Sequence, residues 1–294
     1  MNQKLSRLAA IVIVSLTGCA QMRQVELRKE IEQIHNLRRL LESNPFDKAS
    51  LTQLTGYLTH ENRTIRTQAT SVAGNLGVHH CQALGDALVP LLIEKLEDED
   101  PYVRRYAVKG LGQYGAKAEP AVGGLVRVLM EYKAEDSSWL AADALGNLGP
   151  AARSAVPALI KSLDEKGPEG SIHEFTMQKS ASMALYKLSP LGSDAMPELR
   201  RRLSGLAGEA RLYAALAILK GQPTDTQGTD ALASVLIADR RSAGVALREI
   251  DQLPAALFDL RVLLPALQQA SKSTDSYIRD LSSKQFARLT ARTQ

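Results

Sequence analysis

The sequence offers one short group of residues that could bind a transition metal, Val78-His79-His80-Cys81. Imidazole and thiolate groups are common metal ligands, but adjacent histidines point in different directions, and no second ligand pair lies three or four residues away. We expect a loop between two structural repeats here. The sequence also contains no P-loop, dinucleotide fingerprint, nucleophile elbow or paired-histidine helix. We therefore predict no catalytic residues, no metal and no cofactor.

A second thiol, Cys19, follows a segment typical of export signals. Lys4 and Arg7 form a positively charged start, and residues 8–16 form an apolar stretch that only Ser15 interrupts. A helix of this length is much shorter than the hydrocarbon core of about 30 Å. The segment is therefore predicted to be a signal peptide and not a membrane span.

Leu16, Thr17, Gly18 and Cys19 resemble the lipobox of bacterial lipoproteins. This resemblance implies cleavage before Cys19 and acylation of its thiol and new amino group, which would be detected as palmitate. Ala20 follows Cys19, and lipoproteins of this kind without Asp at that position are usually sent to the outer membrane. The resemblance implies a chain anchored by lipid in the cell envelope, in the outer membrane facing the periplasm. An ordinary signal peptide is the alternative.

The composition favours an all-α protein. Aromatic residues make up only 4% of the chain, and Ala and Leu supply most of the apolar side chains, which favours helices over strands. Residues 22–43 place apolar side chains three and four residues apart, and Asn44-Pro45 should end that helix. We predict a helix that caps a larger helical body, with a coiled-coil or membrane-surface helix as the alternative.

A motif recurs along most of the chain. It consists of an apolar residue, Arg, two variable residues, Ala, and then Ala or Leu followed by Gly-x-Leu-Gly. It is clearest at residues 65–77, 103–115 and 140–149. The glycines of residues 111–115 are expected to end a helix. The Arg position recurs every 29–40 residues and holds Arg66, Arg104, Ser138, Gln178, Arg211, Arg240 and Arg279.

Each copy of the motif follows another short apolar helix, so the repeating unit is a helix pair. This pattern resembles HEAT repeats of the phycobilisome-lyase type. The resemblance implies an all-α fold, an α-solenoid or superhelix of about seven HEAT-type helix pairs, with a concave wall formed by the second helices. The predicted regions are a signal peptide at 1–18, a lipidated tether and capping helix at 19–47, and the repeat solenoid at 48–292.

The five arginines of the repeat, Arg66, Arg104, Arg211, Arg240 and Arg279, have two interpretations. They could join neighbouring repeats through acids or helix-end carbonyls, or some could face the groove and hold an anionic partner. Tyr106 and Trp139 are candidate groove contacts, since aromatic residues are enriched at binding hot spots. Packing between repeats is the alternative for both.

The leading functional hypothesis is a membrane-anchored, non-enzymatic scaffold or adaptor that binds a protein or peptide partner in the groove. Loss of Lys4 and Arg7 with the signal peptide lowers the formal net charge from +4 to +2, so we expect no nucleic-acid partner, and no small-molecule substrate is indicated. A lyase-type or nucleic-acid-binding HEAT-like protein is the alternative if the chain is not exported.

Overall fold

The chain is helical throughout the part that the structure describes. The computed structural model covers residues 2–132, 136–164 and 172–291, and within these ranges it describes side chains from residue 21 onward except those of residues 136 and 172–175. The helices are α1 Asn2–Ser43, α2 Lys48–Leu58, α3 Arg63–Glu94, α4 Pro101–Gln113, α5 Val122–Glu131, α6 Asp136–Leu148, α7 Val156–Ser162, α8 Ile172–Leu188, α9 Ala195–Leu203, α10 Gly208–Gly221, α11 Thr226–Ala238, α12 Arg240–Gln252, α13 Leu260–Ala270 and α14 Ser276–Thr290.

The protein is an α-solenoid of helix pairs, which confirms the predicted fold class. The first helix of each pair, helix A, is α2, the second half of α3, α5, α7, α9, α11 and α13. The second helix, helix B, is the first half of α3, α4, α6, α8, α10, α12 and α14. The chain divides into two compact units, residues 1–110 and 111–294, and the boundary falls inside α4.

In the first unit, α1 and α2 both pack against α3. Ile34, Leu37 and Leu41 of α1 are buried, whereas Met22 and Val25 are more than half exposed. The C-terminal part of α1 thus covers the first helix pair. The predicted anchor residues Leu16, Thr17, Gly18 and Cys19 lie earlier in α1, where side chains are outside the described part of the structure.

The predicted loop at His79, His80 and Cys81 is wrong. These residues lie inside α3, and only His80 departs from helical geometry, with φ −128° and ψ 25°. The backbone kinks at His80, where the helix B of one pair joins the helix A of the next without an intervening loop. Gly77 is part of this continuous helix, whereas Gly115 and Gly149 have φ of 54° and 63° and do end their helices.

By length and composition, one helical segment among the described residues could cross a membrane, Arg63–Glu97. Its apolar side chains Ile65, Leu76, Leu84 and Leu88 are almost fully buried, and the segment packs against α1 and α2. The buried core helix of a solenoid has the same length and composition, so this feature follows from the fold.

Neighbouring B helices touch at small residues in the first half of the solenoid. A Cβ atom added to Gly74 would lie 2.6 Å from the Cα of Gly110, and one added to Gly146 would lie 2.9 Å from the Cα of Ala184. Gly112 has the same relation to Ala144, at 3.1 Å. The first glycine of the repeated Gly-x-Leu-Gly is therefore a helix contact, and for Gly112 this corrects the expectation that it ends a helix.

We expect Gly110→Ala to destabilise the first unit by about 2 kcal/mol, because the new methyl group would overlap the backbone of Gly74 and overpacking costs roughly 1–3 kcal/mol. Gly56→Ala is the matched control, since a Cβ there meets nothing within 4 Å. That variant should be neutral or more stable by up to about 1 kcal/mol. Urea denaturation measures both, and equal stability of the two variants would contradict the proposed helix contact.

Candidate functional site

Arg66 is the most fully bonded arginine of the repeat. Its Nε and Nη2 donate to the two carboxylate oxygens of Asp98 at 3.0 and 3.1 Å, and Nη1 donates to the carbonyls of His60 and Glu61 at 3.0 and 2.9 Å. Only 9% of the Arg66 side chain and 8% of the Asp98 side chain are exposed. Arg66 therefore joins the A–B turn of its own pair to that of the next pair.

The pairing shifts the pKa of both groups. Burial by itself raises the pKa of Asp98, but hydrogen bonds from Arg66 and from the Asp100 amide outweigh it, so the pKa lies below its ordinary value. The pKa of Arg66 is raised, mainly by its hydrogen bond to Asp98. The pair is therefore ionised at neutral pH and is a charge-assisted bond.

Three further arginines donate hydrogen bonds to backbone carbonyls in the turn between helices A and B. Arg104 Nη1 donates to the carbonyls of Asp98 and Glu99, Arg211 Nη2 donates to that of Ser204, and Arg279 Nη1 approaches that of Ser273. Gln178, which replaces Arg in the fourth pair, donates to the carbonyl of Leu163 at 3.3 Å. Since carbonyls after a helix end lack internal partners, these side chains stabilise the turn between helices A and B.

Arg240 does not share this position. Arg66, Arg104, Arg211 and Arg279 are each the fourth residue of their helices, whereas Arg240 is the first residue of α12 and Ala243 is the fourth. Arg240 pairs instead with Asp275, with Nε donating at 2.8 Å. Its assignment to the repeated Arg position is therefore wrong. The sequence alone does not show that α12 begins at Arg240, three residues before the position that the other arginines occupy. Ser138, in the third pair, is completely buried.

An opening in the second unit lies along the B helices and has a volume of about 990 Å³; we call it the B-helix cleft. Trp139 of α6, one of the predicted groove contacts, lines it. The other lining residues are Asp143, Thr176, Lys179, Ser180, Met183, Ala207, Gly208, Glu209, Ala210, Arg211, Ser234, Val235, Ala238, Asp239, Arg241 and Ser242.

The charges in the B-helix cleft are mostly paired. Lys179 and Glu209 form an ion pair of 2.6 Å between α8 and α10. Burial raises the pKa of Asp143, although a hydrogen bond from Ser180 and the charges of Lys187 and Lys179 oppose the shift. Raised carboxyl pKa values in a cleft are typical of binding sites. The exposed Arg241 has no side-chain partner in the described part of the chain.

A second cleft of about 560 Å³ shares Asp239 and Arg241 with the first. It is lined also by Arg240, Arg248 and Tyr277, whose ring is half exposed. The two openings are therefore adjacent, and each is lined by one aromatic side chain, Trp139 or Tyr277. The sequence did not single out Asp143 or Lys179, because neither of them repeats at a fixed position.

Tyr106, the other predicted contact, lies in α4 in the first unit and is partly buried. Trp139 belongs to the second unit. The two residues therefore lie in different compact units, and only Trp139 lines the B-helix cleft.

In the fifth pair, only the first turn of α10 lines the B-helix cleft, and the middle of this B helix is closed to a partner. All eight residues of α10 from Leu212 to Leu219 are buried, and a helix buried on every side is typical of a protein core. Tyr186 of α8 donates from Oη to Glu249 of α12 at 3.0 Å. Side chains from the fourth and sixth pairs therefore meet directly.

Tyr186, Tyr213, Lys220 and Glu249 form a cluster in this region. The rings of Tyr186 and Tyr213 are 5.7 Å apart, and Lys220 Nζ lies 4.0 Å from the centre of the Tyr186 ring, as in a cation–π contact. Burial raises the pKa of Tyr213 to about 12 and also raises that of Tyr186. Burial lowers the pKa of Lys220. None of these four residues lines the B-helix cleft or the second cleft.

His79, His80 and Cys81 lie in α3, in the first unit. The rings of His79 and His80 meet edge to face with centres 6.4 Å apart, and Cys81 is a free, partly buried thiol. Within the described residues, no three His, Cys, Asp or Glu side chains are grouped as a metal site would require.

Residues 89–171 match the family model of HEAT repeats. An engineered protein solved by the Northeast Structural Genomics Consortium is 20% identical, covers 87% of this chain and 71% of its own, and has a TM-score of 0.54. This similarity supports the fold alone. No curated protein matches the sequence.

Two other solved structures have lower TM-scores of 0.47. One is an archaeal HEAT-like repeats protein from Thermococcus onnurineus NA1, 16% identical, with 92% of this chain and 98% of that chain covered. The other is a computationally designed armadillo repeat protein for modular peptide recognition, 14% identical, with 81% and 98% covered.

Arg66→Ala should destabilise the first unit by about 3 kcal/mol, because it leaves Asp98 buried without its counter-charge. Arg63→Ala is the control, since Arg63 is 75% exposed and only approaches Asp100 at 3.4 Å; it should cost less than about 1 kcal/mol. Thermal denaturation at neutral pH measures both. Normal stability of Arg66→Ala would contradict a structural role.

The destabilisation caused by Arg66→Ala should depend on pH. The pKa of Asp98 is lowered in the folded chain. The Arg66–Asp98 pair therefore contributes its full stabilisation of the fold at pH values above 3.8, the ordinary pKa of Asp. This stabilisation is lost as the pH falls through the lowered pKa. The stability difference between wild type and Arg66→Ala should therefore narrow in acid.

Proposed function

We propose that the protein is a membrane-anchored, non-enzymatic scaffold that binds a protein or peptide partner in the B-helix cleft. The repeat-solenoid fold, which residues 89–171 share with HEAT repeats, is typical of such scaffolds. Solenoids present long surfaces built from successive repeats, and this suits an extended partner better than a small substrate.

The observation that carries the proposal is the composition of the B-helix cleft. It combines the indole of Trp139 with hydroxyl groups, a paired Lys179–Glu209 and the unpaired Arg241. Aromatic and Arg side chains at a concave surface are typical binding hot spots, and the neighbouring hydroxyl groups can hydrogen-bond a peptide backbone. The adjoining cleft, which shares Asp239 and Arg241 with it, adds the ring of Tyr277.

Trp139 provides a direct test, because it is the only Trp of the chain. Peptides selected on the full-length protein from a displayed library should shift its fluorescence, since a partner in the cleft changes the solvent around the indole. Trp139→Ala should weaken their binding by roughly 30-fold, corresponding to a hot spot of about 2 kcal/mol.

Tyr102→Ala is the matched control, because it removes an aromatic side chain that is 59% exposed and lies in the first unit. It should leave the affinity unchanged. Peptides that bind both variants as tightly as wild type, without any change in Trp139 emission, would place the binding surface elsewhere and overturn this part of the proposal.

The membrane anchor rests on a separate observation, the resemblance of Leu16-Thr17-Gly18-Cys19 to a lipobox behind a positively charged, apolar segment. Two or three acyl chains at Cys19 would hold the protein stably, since each buried methylene contributes about 0.8 kcal/mol. We place the anchored protein in the outer membrane facing the periplasm, on the basis of Ala20 at the following position.

Palmitate labelling of cells that produce wild type or Cys19→Ala tests the anchor. Wild type should incorporate label and fractionate with outer membranes, and Cys19→Ala should do neither, because it lacks the thiol that accepts the lipid. An unlabelled, cytoplasmic wild type would overturn the anchor and would favour the lyase-type or nucleic-acid-binding alternatives. The peptide-binding test is independent of this outcome.

A further inference from the structure

A separate opening of about 480 Å³ lies between the A helices α7 and α9, and we call it the A-helix pocket. It shares no lining residue with the B-helix cleft. Its volume falls within the range of roughly 300–1,000 Å³ that is usual for small-molecule sites. The proposed partner-binding function does not use it.

The pocket has an apolar floor. Its apolar lining residues are Val156, Pro157, Ile160, Pro190, Leu191 and Ala195. Val156, Ile160 and Leu191 are each less than 10% exposed, so they belong to the packed interior and present a fixed surface. An aliphatic chain that covers such a floor gains about 0.8 kcal/mol for each methylene removed from water.

The wall formed by α7 and the turn before it carries unpaired positive charge. Arg153, Pro157 and Lys161 are spaced by four residues and therefore follow one another along the same side of the chain. Arg153 and Lys161 are exposed, and neither side chain forms an ion pair or a hydrogen bond within the described ranges. Two free cations thus stand at the two ends of this wall.

The opposite wall carries charges that are largely neutralised. Glu198 accepts hydrogen bonds from Arg202 and from Arg201, the latter at 2.9 Å. Arg202 also pairs with Asp164 at 2.5 Å. Asp194 is the remaining carboxylate, and the Ser193 hydroxyl donates to it at 3.2 Å. The unpaired charge of the pocket is therefore two cations against one anion.

We propose that the A-helix pocket binds a free fatty acid, with its chain on the apolar floor and its carboxylate at the cationic wall. The floor provides affinity without directional contacts, and Arg153 and Lys161 select an anionic head. A ligand with a positively charged head would meet two like charges and only one carboxylate. The charge pattern therefore favours a carboxylate over an amine.

Calorimetric titration of the full-length chain carrying Cys19→Ala, which has no acyl chain of its own at that position, tests this proposal. Dodecanoate should bind up to about tenfold more tightly than decanoate, because two further methylenes are buried. Dodecyltrimethylammonium, which has the same chain and the opposite charge, should bind much more weakly. Equal affinity for decanoate and dodecanoate, or for the two head groups, would overturn the proposal.

Two variants locate the binding at this pocket. Ala195→Trp should fill the opening and abolish dodecanoate binding, whereas Ala287→Trp, at an exposed position on α14, should not affect it. Arg153→Glu with Lys161→Glu should weaken binding by about tenfold, since each exposed charge contact contributes up to about 1 kcal/mol. Lys272→Glu is the control for a single change of surface charge.

Circular dichroism shows whether each variant is folded, and all five substituted positions are exposed or partly exposed. Dodecanoate binding that survives Ala195→Trp would place the ligand elsewhere. Binding of phosphatidylglycerol vesicles without binding of dodecanoate would identify a membrane surface as the ligand and would equally overturn the fatty-acid proposal.

Discussion

The close contact between successive B helices is the constraint on which the first half of this solenoid depends. Gly74 against Gly110, Gly112 against Ala144, and Gly146 against Ala184 leave no space for a larger side chain at the glycine. A glycine inside a helix costs up to about 1 kcal/mol relative to alanine. The repeated sequence retains it because the packing of each helix pair on the next requires it.

The position of this glycine in the repeat holds a large side chain in the fourth pair. Tyr186 lies where Gly112 and Gly146 lie in the preceding B helices, eight residues after Gln178. Its ring packs near Tyr213, beneath the ammonium group of Lys220, and its hydroxyl reaches Glu249. A large side chain in place of glycine therefore makes contacts that extend over three helices, beside the buried middle of α10.

The polar bonds of the repeat secure the turns and the helix starts. Arg66, Arg104, Arg211 and Arg279 direct their donors at carbonyls beyond the end of helix A. These bonds use groups that would otherwise lack partners. Of these four arginines, Arg211 also lines the B-helix cleft, whose other lining residues come mostly from outside the repeated motif.

The sequence alone determined the all-α class, the helix pairs and most of the arginine positions, because apolar spacing and helix-breaking residues act over a few neighbouring residues. It also identified Trp139 as a contact candidate. It misplaced Arg240 and the His79–Cys81 segment, because a helix boundary depends on how the backbone is capped and packed. Only the tertiary structure brought Asp143, Lys179 and Arg241 to one cleft, since these residues come from three different helices and share no period that a sequence can display. It also placed the apolar residues before α9 opposite α7, which forms the pocket beside Arg153 and Lys161.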